Sequence, residues 1–393
     1  MQNINFNQRM NNTMEVSKSL LTGSSEDLDP FSKQRIKQYY PQIKNKDWND
    51  WKWQIQNRIT TIKQLQIIIK NLTEDEIKAI ENGASISITP YYAILASLYK
   101  EIRRCVIPLS DELIFHNDES NDPLKEDNNK GTECLVHKYP DRVLFLATNF
   151  CSTYCRFCTR SRMVDCKHKS NITLDAWKKA LDYIKNHPEV RDVLISGGDP
   201  LTLSNNNLEY LMSNIRKIPH VEFLRIGTKI PMVLPQRLND KELLKILKKY
   251  KPWVSIHCTH PLELTKEAKK AFNQLADLGL PLGSQTVLMK DINDNVDVLK
   301  KLFHGLLQVR TKPYYLYSAD RIKGSKHFRV PINTGIEIIK QLRGWTTGYA
   351  VPQFIVDSEE GKIAVSPDNI ISMSENEVVL RSYNNKQLKF EEV

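Results

Sequence analysis

The feature that most constrains this chain is an alternation that begins near residue 140 and repeats six times. Short β-rich runs, VLFLAT (143–148), DVLIS (192–196), VEFLRIG (221–227), WVSIHC (253–258), GSQTVLM (283–289) and PYYLY (313–317), are separated by amphipathic stretches of helix length such as ITLDAWKKALDYIKNH and DKELLKILKKY. Strand then helix, repeated, requires crossover connections, and these build a parallel sheet that closes partly or fully into a barrel. The expected class is therefore α/β: a partial (β/α)6 barrel over 136–345, a helical region over 31–135 before it and a small C-terminal segment over 346–393 after it. In the helical region, Thr73 with Glu76 three residues later reads as a capping box, and Thr89-Pro90 as a helix start. Residues 1–30, Asn-rich and without an apolar signal core, read as a disordered tail of a cytoplasmic protein, and the acidic stretch 111–133 reads as a linker.

Barrels of this class place their chemistry on loops at the C-terminal ends of the strands. The first run leads directly into TNFCSTYCRFCTRSR, which sets Cys151, Cys155 and Cys158 at C-x3-C-x2-C spacing. Three thiolates in a short loop hold three irons of a cubane cluster and leave the fourth iron open to a small molecule. The competing reading is a structural zinc site with Cys166 or His168 as fourth ligand. The second run ends in Ser196, Gly197, Gly198 and Asp199, where paired glycines allow a ligand close to the backbone and a carboxylate can accept from an ammonium. Alone, that sequence is equally a tight turn.

The cysteine spacing is that of radical S-adenosylmethionine enzymes, and the sequence from about 42 to 390 resembles the lysine 2,3-aminomutase family. The resemblance is carried by WNDWKWQIQNRI, HKYPDRVLFLATNFCSTYCRFCTR, VRDVLISGGD, LGLPLGSQTVL, KPYYLY and GIEIIKQLRGWTTGYAVPQFIVD. It implies an isomerase with three cofactors: a [4Fe–4S] cluster on Cys151, Cys155 and Cys158, S-adenosylmethionine near Ser196, Gly197, Gly198 and Asp199, and pyridoxal 5′-phosphate held by Lys362 in FIVDSEEGKIAV. Tyr139 and Arg142 match residues near the pyridoxal phosphate. Arg160 matches the arginine that pairs with the substrate carboxylate, while Asp294 and Asp357 match two aspartates that grip the distant ammonium of lysine. The implied reaction moves the α-amino group of L-lysine to the β-carbon. The same chemistry on arginine or glutamate, or on lysine supplied for translation-factor modification, is the alternative. An electron donor such as flavodoxin or ferredoxin and a homo-oligomer are further implications.

Three departures from the family pattern stand out. Lys138 replaces an arginine before the tyrosine, the lysine loop reads SEEGK, and no cysteine follows Cys258. His257 and His260 follow the fourth run and Asp320 the sixth, without an assigned role. The excess of Lys+Arg (56) over Asp+Glu (46) is spread along helical faces without a compact basic block, which argues against a nucleic-acid partner, and no apolar run is long enough for a membrane span. With no C-terminal cysteine group, no zinc is predicted; tight stoichiometric zinc uptake by the apoprotein, away from the cluster, would overturn this.

Overall fold

The computed structural model describes residues 29–164, 172–367, 369–374, 377–382 and 385–391. The tail expected over 1–30 falls, up to residue 28, outside the described residues, as do Cys166 and His168. By contacts the chain divides into Met1–Asp47 and Trp48–Val393. In the first unit a helix spans Lys33–Tyr39, N-capped by the Ser32 side chain.

The second unit is organised on a ten-stranded sheet whose spatial order is the chain order. Its strands are β1 (Lys130–Thr132), β2 (Leu135–Tyr139), β3 (Arg142–Thr148), β4 (Asp192–Gly197), β5 (Phe223–Thr228), β6 (Trp253–His257), β7 (Leu282–Leu288), β8 (Lys312–Ser318), β9 (Gln353–Ser358) and β10 (Gly361–Val365). All neighbours from β3 to β9 pair in parallel, while β1, β2 and β10 add antiparallel edges. The barrel is therefore open, as expected. It holds seven parallel strands rather than six, because FIVDS follows the helix Ile332–Leu342 as one more strand–helix–strand step. A separate three-stranded sheet, β11 (Ile370–Met373), β12 (Glu377–Arg381) and β13 (Gln387–Glu391), ends the chain.

Local chemistry explains the elements. The crossover helices Leu174–Lys185, Asn205–Arg216, Lys241–Tyr250, Lys266–Asp277 and Val296–Gln308 start at Thr173, Ser204, Asp240, Thr265 and Asn295. Each of these side chains accepts from a backbone N–H that the helix cannot satisfy itself. Each helix buries one apolar stripe; in Leu174–Lys185 it is Ala176, Trp177, Ala180, Leu181 and Ile184. The capping box at Thr73 and the Thr89-Pro90 start both form.

The stretch 111–133 is not a free linker. It contains short 3-10 turns at Ser110–Leu113 and Glu126–Asn129 and runs into β1, and Glu126 is only 5% exposed. Its acidic residues are held by Arg156, Arg160, Arg162 and Arg329. Composition alone reads such a run as solvated because its counter-charges lie far along the chain.

The helix Ile332–Leu342 packs on β9 through Gly335, where an added Cβ would lie 2.2–2.7 Å from the buried Phe354 ring. Gly335→Val is expected to lower stability by about 2–3 kcal/mol through overpacking, read from the midpoint of chemical denaturation.

Candidate active site

The C-terminal ends of the parallel strands surround a cavity of about 450 Å³. Successive side chains of a strand point to opposite faces, so each strand sends alternate residues inward. Leu194 and Ser196, Arg225 and Gly227, Ser255 and His257, Gln285 and Val287, and Tyr315 and Tyr317 reach the cavity in this way.

The three-cysteine loop lies past the end of β3 and is held from outside. Tyr154 N–H donates to the Ser87 carbonyl (2.7 Å) and Arg156 N–H to that of Cys105 (2.9 Å). The Arg58 guanidinium reaches the Cys151 carbonyl at 3.0 Å. Burial pushes the thiol of Cys155 up to about 12, with Lys229 opposing, and raises those of Cys151 and Cys158. Cys151 and Cys155 are also raised by the neighbouring thiols. Such a set of soft donors is disfavoured as bare thiolates and suits a cationic iron cluster. Among the described residues, no three side chains of metal-ligating type converge on one ion. A cluster that gives each thiolate its own iron requires no such convergence.

The glycine turn after β4 packs tightly on this loop. Gly197 has φ +117°, and a Cβ on Gly198 would lie 2.3 Å from the Phe150 carbonyl oxygen. Gly198 N–H donates to Thr148 and Asp199 N–H to Phe150. Only Ser196 of this group lines the cavity. The Asp199 carboxylate is turned inward instead. It accepts from the Thr228 hydroxyl (2.8 Å), Lys229 N–H (2.7 Å) and Leu201 N–H (3.1 Å), and burial pushes it up to about 6. In this structure the Asp199 carboxylate is thus bonded to the turn after β4, to Thr228 at the end of β5 and to the turn that follows it, rather than facing the cavity.

Lys362, the second residue of β10, also lines the cavity. The hairpin from β9 has only Glu359 and Glu360 between the paired Ser358 and Gly361, and it places Lys362 directly across from Asp357. Gly361, at φ +123° and 3.2 Å from Tyr139 by its virtual Cβ, is the position where a side chain fits neither the backbone nor the space. Lys362 Nζ donates to Asp357 at 2.8 Å, and its N–H donates to the Tyr139 hydroxyl at 3.1 Å. The Arg142 guanidinium lies 4.4 Å from the centre of the Tyr139 ring. Lys138 donates to the carbonyls of Ser358 (2.7 Å) and Leu124 (3.2 Å), tying the hairpin to the acidic stretch.

Pyridoxal phosphate needs an amine, cations for its phosphate and a walled cavity. Lys362, Arg142, Arg225 and the ring of Tyr139 line the same space, so the residues present fit it.

Arg160 reaches the cavity from just beyond Cys158, with its Nε and Nη2 on Glu126 at 3.0 and 2.7 Å. Asp294 does not reach it. The turn after β7 buries Asn293, whose amide holds the Thr259 and Val287 carbonyls, and leaves the Asp294 carboxylate accepting from Asp291 N–H at 3.1 Å. Besides Glu126 and Asp357, the carboxylate of Asp320, just past β8 and bonded by the Thr159 hydroxyl, lines the cavity. Burial, with the charge of Asp357, pushes it up to about 6. The signal for Asp320 was its position at a strand's C-terminal end; Asp294 lies six residues past β7. His257 also lines the cavity, its Nε2 2.6 Å from the Gln285 amide nitrogen, and burial pushes its pKa down to about 3, so the ring is neutral. His260 caps the Pro261–Glu263 turn instead.

Comparisons with known proteins agree with this architecture. The model of the radical SAM superfamily matches residues 145–302, and that of lysine-2,3-aminomutase residues 339–392. The chain is 45% identical over 353 residues to the L-lysine 2,3-aminomutase of Acetoanaerobium sticklandii, covering 88% of this chain and 85% of that one. It is 46% identical over 349 residues to that of Methanococcus maripaludis, covering 86% and 80%. A glutamate 2,3-aminomutase of Clostridioides difficile is 39% identical over 357 residues, covering 88% and 83%. Radical SAM strands that end in a three-thiol loop and a C-terminal hairpin that carries a cavity lysine thus occur in one chain with relatives matched over most of its length, and the chain belongs to the lysine 2,3-aminomutase family.

Proposed function

We propose that this chain interconverts L-lysine and L-β-lysine as an L-lysine 2,3-aminomutase. The observation that carries the reading is the meeting of Lys362, Arg160 and the two carboxylates Asp320 and Asp357 in one cavity beside the cysteine loop. When bound, the [4Fe–4S] cluster with S-adenosylmethionine supplies a hydrogen-abstracting radical, and pyridoxal phosphate supplies the conjugated system through which nitrogen migrates. Cys151, Cys155 and Cys158 are the residues that would hold the cluster, and Lys362 with Arg142 and Tyr139 the pyridoxal phosphate. Ser196 and the Gly197–Gly198 backbone are the candidates for S-adenosylmethionine.

The protein's own contribution is binding, orientation and exclusion of water. Arg160 has Nη1 left for the α-carboxylate, since Nε and Nη2 are on Glu126. Asp320 is a half-buried carboxylate with one hydroxyl donor, next to Asp357, an arrangement that a substrate ammonium relieves. Asp357 now holds Lys362; with that amine engaged by the cofactor, Asp357 faces the cavity beside Asp320. Neutral amino acids offer nothing to this pair, and glutamate adds like charge. A soluble reductant protein, a homo-oligomeric assembly and a cytoplasmic setting complete the proposal. Among the described residues, no helix is long and apolar enough to cross a membrane.

Anaerobic incubation of the reconstituted enzyme with dithionite and a panel of amino acids is expected to give β-lysine alone. Another β-amino acid as main product would refute the substrate assignment. Asp320→Asn should raise KM for lysine by roughly tenfold or more, as loss of one buried charge partner does, whereas Asp294→Asn should leave KM unchanged.

The pH dependence follows from sign. A carboxylate at about 6 is charged above that pH and protonated below it, so attraction for ammonium is lost as pH falls through about 6. KM for lysine should therefore rise below about pH 6 in the wild type and stay high and flat there in Asp320→Asn.

A further inference from the structure

The α-carboxylate partner Arg160 is already half occupied by the protein. Glu126 accepts from its Nε and Nη2 and is 5% exposed. The turn that presents Glu126 is built for the purpose. Asp122 accepts from the N–H of Glu126 (3.1 Å) and of Asp127 (2.8 Å), and Lys125 adopts φ +52° just before it. Arg162 braces the turn, 3.1 Å from Asp122 and 3.8 Å from Glu126, and Lys138 holds the Leu124 carbonyl. Both arginines follow the third cysteine, so the turn, the cysteine loop and the cavity wall share one set of contacts.

A guanidinium offers a carboxylate two matching edges, and here the protein fills one. Arg160 also feels the charge of Asp320, and Glu126, Asp320 and Asp357 all line the cavity with it. We propose that Glu126 is a specificity-determining residue: by taking one edge of Arg160 and cancelling its charge, it limits the site to amino acids with a single carboxylate and a distal cation. Without it, Arg160 presents two free edges and has one fewer carboxylate against its charge, and a second carboxylate on the substrate becomes tolerable. Glu126 thus does at the α-carboxylate end what the aspartates do at the other: it keeps acidic side chains out. The inference rests on the cavity being the amino-acid site.

Equilibrium dialysis of radiolabelled L-lysine with the reconstituted holoenzyme, S-adenosylmethionine and no reductant tests it, with L-glutamate as competitor. Wild type is expected to favour lysine strongly. Glu126→Gln should reduce that discrimination roughly tenfold, mainly through tighter glutamate binding. Glu126→Asp, which keeps the charge, should retain it. Unchanged discrimination in Glu126→Gln, or a loss in Glu126→Asp equal to that in Glu126→Gln, overturns the proposal while leaving the lysine reading intact. A wild type that binds no lysine overturns the lysine reading and the inference together.

Discussion

The sheet's winding is the constraint from which the rest of the site follows. Parallel strands in sequential order need a helix between each pair, and that geometry leaves every strand's C-terminal end on one rim. Cys151, Ser196, His257, Asp320 and Asp357 are scattered over some two hundred residues, yet all lie on or just past such an end. From β3 to β9 each strand is hydrogen-bonded to both neighbours, so the strand ends that carry the rim are held in one sheet. The rigidity that orienting a reactive radical requires therefore comes from backbone pairing rather than from the side chains themselves.

Within that frame the buried charges are arranged in pairs with distinct roles. Lys229 and Glu263 form a closed pair at 2.7 Å beneath the cysteine loop, with Tyr92 and the Thr259 N–H completing the carboxylate's bonds. Removing one member of such a pair costs about 3–5 kcal/mol, because it strands the other charge. Asp320, by contrast, has a single hydroxyl donor and a like-charged neighbour, and the charges of Lys362 and Arg160 only partly offset its burial. Saturated pairs hold the scaffold and unsatisfied ones face the ligand; the distinction separates Asp199 from Asp320, although both are pushed up to about 6.

The barrel, the helix starts at Thr73 and Thr89 and the cysteine loop were legible because each rests on local pattern: alternation, capping residues and close spacing. The seventh parallel strand was missed although Gly344, Gly348 and Pro352 punctuate the chain before it, because a short apolar run such as FIVDS does not itself show whether it joins the sheet. Asp294 and Asp320 both follow strands, and sequence does not show which way a loop turns. Only the burial of Asn293 reveals that the first loop faces away. Glu126 was hidden for a different reason. Its partner Arg160 lies 34 residues later, and an acidic run with a distant counter-charge looks the same as a solvated one.

The two-residue turn between β9 and β10 carries a consequence of register. Side chains along a strand alternate between faces and directly paired residues share one, so Lys362 presents the same face as Asp357, across from which it sits. A slip of β10 by one residue against β9 would turn the amine to the back of the sheet and bring Ile363 or Gly361 to the cavity, whereas residues added within the turn leave the pairing as it is. The turn is thus free to vary in length as long as the Asp357–Lys362 pairing is kept, and a short SEEGK turn is compatible with an amine in the same place.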